Sequence, residues 1–277
     1  MRAMWMLSGS YNIPNVNALA RLVYTNNPAG GADRGAGPPQ VTFALESAMD
    51  MLAEKIGMDP FEFRKINPLK PGESVSTGMV YDQWPFPELC DATLPAYERA
   101  KKEAGKPIHH IGSKMADGEQ GPLDPETGQG PSFESRVPCI QMAEVEVNTD
   151  TGEVRVIKMT TAVDAGKVIH PQNLEGQLHG GMDQGVGYAL REEYIHGQTK
   201  DWVTFKFPTM KTSFDMEVII NETKRLKGPL GATGIGEMTM VPTAPAVINA
   251  IYDACGVRIT HLPATPEKVK AALAAEK

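Results

Sequence analysis

At 277 residues the chain can bury a substantial core, as one large domain or two ordinary ones. Hydrophobic residues make up 41% and charged residues 22%, as in a globular protein, and a net charge of −7 argues against a nucleic-acid partner, which needs clustered Lys and Arg. No apolar run approaches the roughly 18–20 residues of a membrane span, and three scattered cysteines (Cys90, Cys139, Cys255) without a C-x-x-C pair predict neither a disulfide framework nor a cluster site, so a reducing, cytoplasmic location is expected.

Residues 1–7 hold one basic residue and a short apolar stretch, and read as a strand or a truncation point rather than a signal peptide. The β-forming run 20–25 (ARLVYT) predicts a strand, and the Gly/Pro-rich stretch 27–39 excludes any regular element. Phe43, Ala44, Met51 and Leu52 recur near helical spacing over 40–56, where Gly57 stops the helix. Asp59 caps a second short helix with Pro60 in its first turn. From 105 to 138 the chain is polar, rich in Gly and Pro and without periodicity, which predicts a linker, a surface excursion or a deletion scar. The adjacent His109 and His110 lie there, in a solvated loop or a metal site.

The second half is more regular. Alternation over 142–147, a turn at 148–152 and a return run over 154–163 predict a hairpin. Residues 174–194 read as a helix despite Gly176, Gly180, Gly181, Gly185 and Gly187, which requires backbone or ligand packed on the bare face. A strand over 216–220 and helices over 244–255 and 266–274 complete the pattern. Without a regular βαβ period, the expected class is α+β. The expected organisation is an N-terminal segment at 1–104, the Gly/Pro-rich middle at 105–134 and a C-terminal segment at 135–277.

P-loop, Rossmann and nucleophile-elbow motifs are all absent. The run 227–237 (KGPLGATGIGE) places four glycines just ahead of Glu237. Such a backbone can turn sharply and bring N–H groups against a ligand, with the carboxylate positioned as a general base. A plain surface turn with a solvated glutamate is the other reading.

Five blocks occur in order: 32–40 (ADRGAGPPQ), 49–60 (MDMLAEKIGMDP), 175–190 (EGQLHGGMDQGVGYAL), 231–237 (GATGIGE) and 256–267 (GVRITHLPATPE). Together they resemble the molybdopterin-binding large subunit of the xanthine dehydrogenase and aldehyde oxidoreductase family, over its C-terminal half. The resemblance implies a molybdenum–pyranopterin cofactor, in its plain or cytosine dinucleotide form. It makes Glu237 the base that takes a proton during hydroxylation of an aldehyde or aromatic heterocycle with water as oxygen source. Arg34 matches an arginine beside the metal site and would orient substrate or steady an oxyanion. Gly35, Gln184, Gly234, Ile235 and Gly236 match cofactor-binding positions, and no metal ligand from the protein itself is implied.

The chain also departs from the family pattern. Ala36 stands where an aromatic usually follows Arg-Gly, and Asp33 where a Phe usually precedes the arginine, so the pocket should favour aldehydes over flat purines, and Ala36→Phe should restore affinity for aromatics. The segment 105–129 stands where a much longer stretch with further glycine-rich segments is expected. Iron–sulfur and FAD carriers are expected on partner chains, because a cluster normally takes four cysteines, along with a chain supplying the missing cradle segments. The alternative is a degenerate or assembly-only relative.

Overall fold

The computed structural model describes residues 2–27, 30–31, 33–104, 111–116, 124, 126–127, 129–130, 135–226 and 228–276. Its centre is one sheet in the order β1 (Ile111–Ala116), β2 (Ser135–Val147), β3 (Val154–Asp164) and β4 (Asp215–Asn221). The first three strands are antiparallel and β4 runs parallel to β3. Asn148 and Gly152 close the β2–β3 turn through the bonds Asn148 N–H to Glu153 O and Gly152 N–H to Asn148 O.

Alternation along the strands sends side chains to two helical layers. Ile140, Met142 and Ala162 face a cluster built by α3 (Pro60–Ile66) and α4 (Phe86–Ala104), including Phe61, Phe86, Leu89 and Tyr97. Ala143, Val156 and Met159 face α5 (Pro171–Leu190), α6 (Thr243–Cys255) and α7 (Pro266–Ala275). Val156 and Met159 would point to opposite faces of a regular strand. The register shift between Glu144 and Val145 brings both to the same one. Helix α6 is buried at every residue from Thr243 to Ile251, as expected of a helix apolar all round.

The two halves of the sequence share this core. α2 (Pro38–Lys55) is joined to α3 and to the C-terminal half by buried charges. Arg64 Nε lies 2.9 Å from Glu46, which also accepts from the Tyr11 hydroxyl at 2.9 Å. Arg258 bonds Asp50 at 3.2 Å and Asn249 at 2.7 Å.

Several expectations change. Residues 2–5 are a helical turn, α1 (Arg2–Trp5), not a strand. Residues 20–25 form neither a helix nor a ladder among the described residues. The segment read as a structureless linker contains β1, paired with β2 from Ile111↔Ile140 to Ala116↔Ser135. His109, His110 and most of 117–134 lie outside the described residues, as do Ala32 and Lys227. α4, which runs through Pro95, had no sequence counterpart, and α5 ends at Leu190 rather than 194.

The glycines of α5 divide between two faces. A Cβ at Gly181 would collide with Thr239, one at Gly185 with Thr243 and one at Gly187 with Pro208. A Cβ at Gly176 meets nothing within 4 Å, and one at Gly180 meets only the Arg34 guanidinium at 3.7 Å. Gly181→Ala is therefore expected to destabilise by about 1–3 kcal/mol through overpacking. Gly176→Ala is expected to gain up to about 1 kcal/mol of helix propensity. Urea midpoints of the two variants should move in opposite directions.

Candidate functional site

The open face of α5, the Arg34 loop and the Glu237 loop converge. Asp33 to Ala36 form a tight turn closed by Ala36 N–H to Asp33 O at 2.7 Å. Gly35 (φ 101°), Ala36 (φ 43°) and Gly37 (φ 107°) then carry the backbone through the left-handed region into Pro38 of α2. Only Gly takes that region without a Cβ penalty, so Ala36 is held there by its surroundings.

This turn projects Arg34 across the molecule. Its Nε donates to Gly236 O at 2.6 Å, and its terminal nitrogen to Gln177 O at 3.1 Å and Gln177 Oε1 at 3.0 Å. Gly35 N–H lies 3.4 Å from Glu237 Oε1. Asp33 accepts from Gln184 Nε2 at 2.8 Å and from the Arg34 N–H at 2.7 Å. Residues 202 positions apart are thus in direct contact. Burial pushes the Arg34 guanidinium below its ordinary value, opposed by the negative charges of Glu237 and then Asp33.

The Glu237 loop is anchored at both ends. Gly231 O accepts from Arg225 N–H at 3.0 Å and Lys167 N–H at 2.9 Å, and Arg225 is bound to the buried Asp164 at 2.9 Å. On the other side Ile235 packs with Leu174, Leu178 and Met238, and Met238 to Met240 are buried. The Ile235 side chain therefore faces the core, which leaves its backbone for any ligand. Gly234 and Gly236 are exposed, while Gly35 is buried, with Pro39 where a Cβ would sit.

Gln177 is the residue that sequence reasoning missed. Its spacing to Gly180 and Gln184 (i, i+3, i+7) places all three on one helical stripe, a signal present within the block 175–190. Gly176 faces open space, and a Cβ at Gly180 or Gly236 would meet only the Arg34 guanidinium at 3.7 Å or the Gln177 side chain at 3.8 Å. A rigid cation, a carboxylate and unshielded backbone groups together suit a large polar ligand presented to a proton acceptor. Among the described residues, no three His, Cys, Asp or Glu side chains converge as a metal cage.

A second carboxyl lies behind this face. Glu192, just past α5, has its Oε1 buried without a hydrogen-bond partner among the described residues. Burial, then the charges of Asp33 and Asp183, push its pKa up to about 7. A folded-state value above the unfolded one favours folding at low pH, and that contribution is lost as pH rises through about 7. Glu192→Gln should flatten the fall in melting temperature between about pH 5 and 8. An unchanged profile would place the carboxyl in water.

Comparison with known proteins supplies the context. Family profiles described as molybdopterin cofactor-binding domain match residues 1–68 and 65–213. The chain is 28% identical to the aldehyde oxidoreductase of Megalodesulfovibrio gigas over 408 residues, covering 99% of this chain and 45% of that protein. It is 33% identical over 138 residues to the 6-hydroxypseudooxynicotine dehydrogenase complex subunit gamma of Paenarthrobacter nicotinovorans, covering 47% of this chain and 17% of that one. The structure of the Desulfovibrio gigas aldehyde oxidoreductase superposes with a TM-score of 0.91 at 27% identity, over 99% of this chain and 45% of that chain. This chain thus spans about half the length of that relative, and the matched stretch of the relative, at 408 residues, is far longer than the 277 here. The chain belongs to the molybdopterin-binding subunits of the xanthine dehydrogenase and aldehyde oxidoreductase family.

Proposed function

We propose that this chain is a component of a molybdenum-dependent hydroxylase that oxidises an aldehyde, or less readily an aromatic heterocycle, with Glu237 as general base. The observation that carries the proposal is the junction of the Arg34 turn with the Glu237 loop, through Arg34 to Gly236 O and Gly35 N–H to Glu237. The open glycines of α5 and of the Glu237 loop fit a cofactor resting against bare backbone. Gly180, Gly234 and Gly236 would border the pyranopterin, in its plain or cytosine dinucleotide form, with Gln184 beside it. When bound, the molybdenum centre supplies a two-electron acceptor for oxidation of carbon by a water-derived oxygen.

The chain's own residues do the rest. The Glu237 carboxylate takes the proton released as the oxygen nucleophile attacks, and it is held at the cofactor face by the buried turn that follows it. Arg34, fixed by Gln177 and Gly236, offers positive charge toward an oxyanion developing on the substrate. Asp33 is occupied by Gln184 and the Arg34 amide. Ala36 leaves room but sits at φ 43°, so the expected gain in aromatic affinity from Ala36→Phe would carry a backbone penalty.

Iron–sulfur and FAD carriers on companion chains, and a chain completing the cofactor cradle, belong to the same reading. They accord with a relative named as the gamma subunit of a dehydrogenase complex and with the large excess of residues in the matched stretch of the aldehyde oxidoreductase. That excess also favours a second reading, an assembly module that holds the fold without turning over substrate.

Oxidation of an aldehyde by the native complex in ¹⁸O-water should place label in the acid product, faster than in hydroxylated purine. Label-free acid, or no turnover of either substrate, would contradict the reaction.

A further inference from the structure

Residues 14–27 are exposed without interruption, and Leu22 is 97% exposed. Among the described residues, none of 14–24 makes a backbone hydrogen bond to another segment. The run is apolar on both faces. Val16, Ala18, Ala20, Leu22 and Tyr24 occupy every second position, and the intervening positions add Leu19 and Val23 between Asn17, Arg21 and Thr25. In extended backbone these five side chains share one face. A short run apolar on both faces and containing β formers is the pattern of a strand covered on both sides, yet here its backbone groups and its apolar side chains meet water.

The location adds meaning. The segment runs from Tyr11, bonded to the buried Glu46, to the Asp33–Arg34 turn at the site. The matched stretch of the Megalodesulfovibrio gigas relative is 408 residues long against 277 here, while the shared fold superposes at a TM-score of 0.91. The core is therefore preserved although many residues that accompany it in the relative have no counterpart in this chain.

We infer that residues 16–25 are a docking strand, completed by β-pairing with a companion chain that carries the missing part of the molybdopterin-binding fold. The inference rests on the hydroxylase reading above and names the surface through which that companion is held. Main-chain pairing would supply affinity, and the Leu22/Tyr24 face would set the register. Pairing would also tether the chain that leads into the Arg34 turn.

The test is hydrogen–deuterium exchange on the complex purified from its native host, compared with the recombinant chain alone. Amides 16–25 should exchange at least about 100-fold more slowly in the complex. A photo-crosslinker at position 22 should capture a chain aligning with the uncovered part of the aldehyde oxidoreductase. Leu22→Asp should release that chain, whereas Arg21→Asp on the other face should not. Unprotected amides in a molybdenum-containing complex with the companion present would overturn the docking strand and leave the hydroxylase reading intact. Concentration-dependent protection in the recombinant chain alone would assign the strand to a second copy and overturn the inference. A native preparation with neither molybdenum nor companion would sink the hydroxylase reading itself.

Discussion

Replacing Glu237 with glutamine should lower turnover of the assembled enzyme by about 10²–10⁴-fold, the usual worth of a positioned general base. The amide keeps the volume of the carboxyl and an oxygen for the Gly35 N–H, so the junction between the two loops should persist. What it lacks is the capacity to accept a proton at neutral pH. The loss should therefore fall on kcat, with KM little changed and assembly intact. An Arg34→Gln variant should behave differently. It removes the bonds to Gly236 and Gln177 and so should loosen both loops as well as weaken charge stabilisation. If Glu237→Gln turns over at the wild-type rate, the assembly-module reading gains and Glu237 is a structural acceptor only.

Replacing Arg64 with leucine should destabilise the fold by about 3–5 kcal/mol, because it strands a buried carboxylate. Arg64 is 0% exposed, and its guanidinium bonds Glu46, Asp50 and the Pro60 carbonyl. Burial pushes the Glu46 carboxyl up, and Arg64 is the first partner holding it down. Without Arg64, Glu46 should bind a proton in the folded state well above its unfolded pKa. The stabilisation this gives is present at low pH and lost as pH rises, so the variant should be relatively more stable at about pH 5 than at pH 8. Adding Glu46→Leu should recover part of the loss, since a buried ion pair exchanged for apolar packing is often neutral. Coupling of at least about 1 kcal/mol between the two sites is expected from urea midpoints. Additive effects would mean that the network is not one unit.

Local signals were legible where local chemistry decides structure. The β2–β3 hairpin followed from its alternation and turn residues, and α3 from Asp59, whose side chain accepts from the Phe61 and Glu62 amides. The glycines of α5 announced a close approach, but not that Gly181 and Gly185 meet Thr239 and Thr243 while Gly176 stays open. Strand formation at 20–25 was misjudged because β propensity describes fit to a sheet and cannot supply the neighbouring strand. β1 was missed for the converse reason: Ile111–Ala116 has weak strand chemistry and is fixed by pairing with β2. Arg64 carried no signal of its own in the sequence. Its burial depends on Glu46 and Asp50 standing four apart on one face of α2, with Tyr11 behind them. The meeting of Arg34 with Glu237 has no local signature at a separation of 202 residues, and it came into view only through the family resemblance.

The most direct test of the account is metal and pterin analysis of the complex purified from its native host. Molybdenum and an oxidised-pterin fluorophore should co-purify in proportion to this chain, and Gly180→Val, which fills the open face of α5 without touching Glu237, should reduce both together. Absence of molybdenum, tungsten and pterin from a preparation that retains its partner chains would contradict a cofactor site between Arg34, α5 and Glu237.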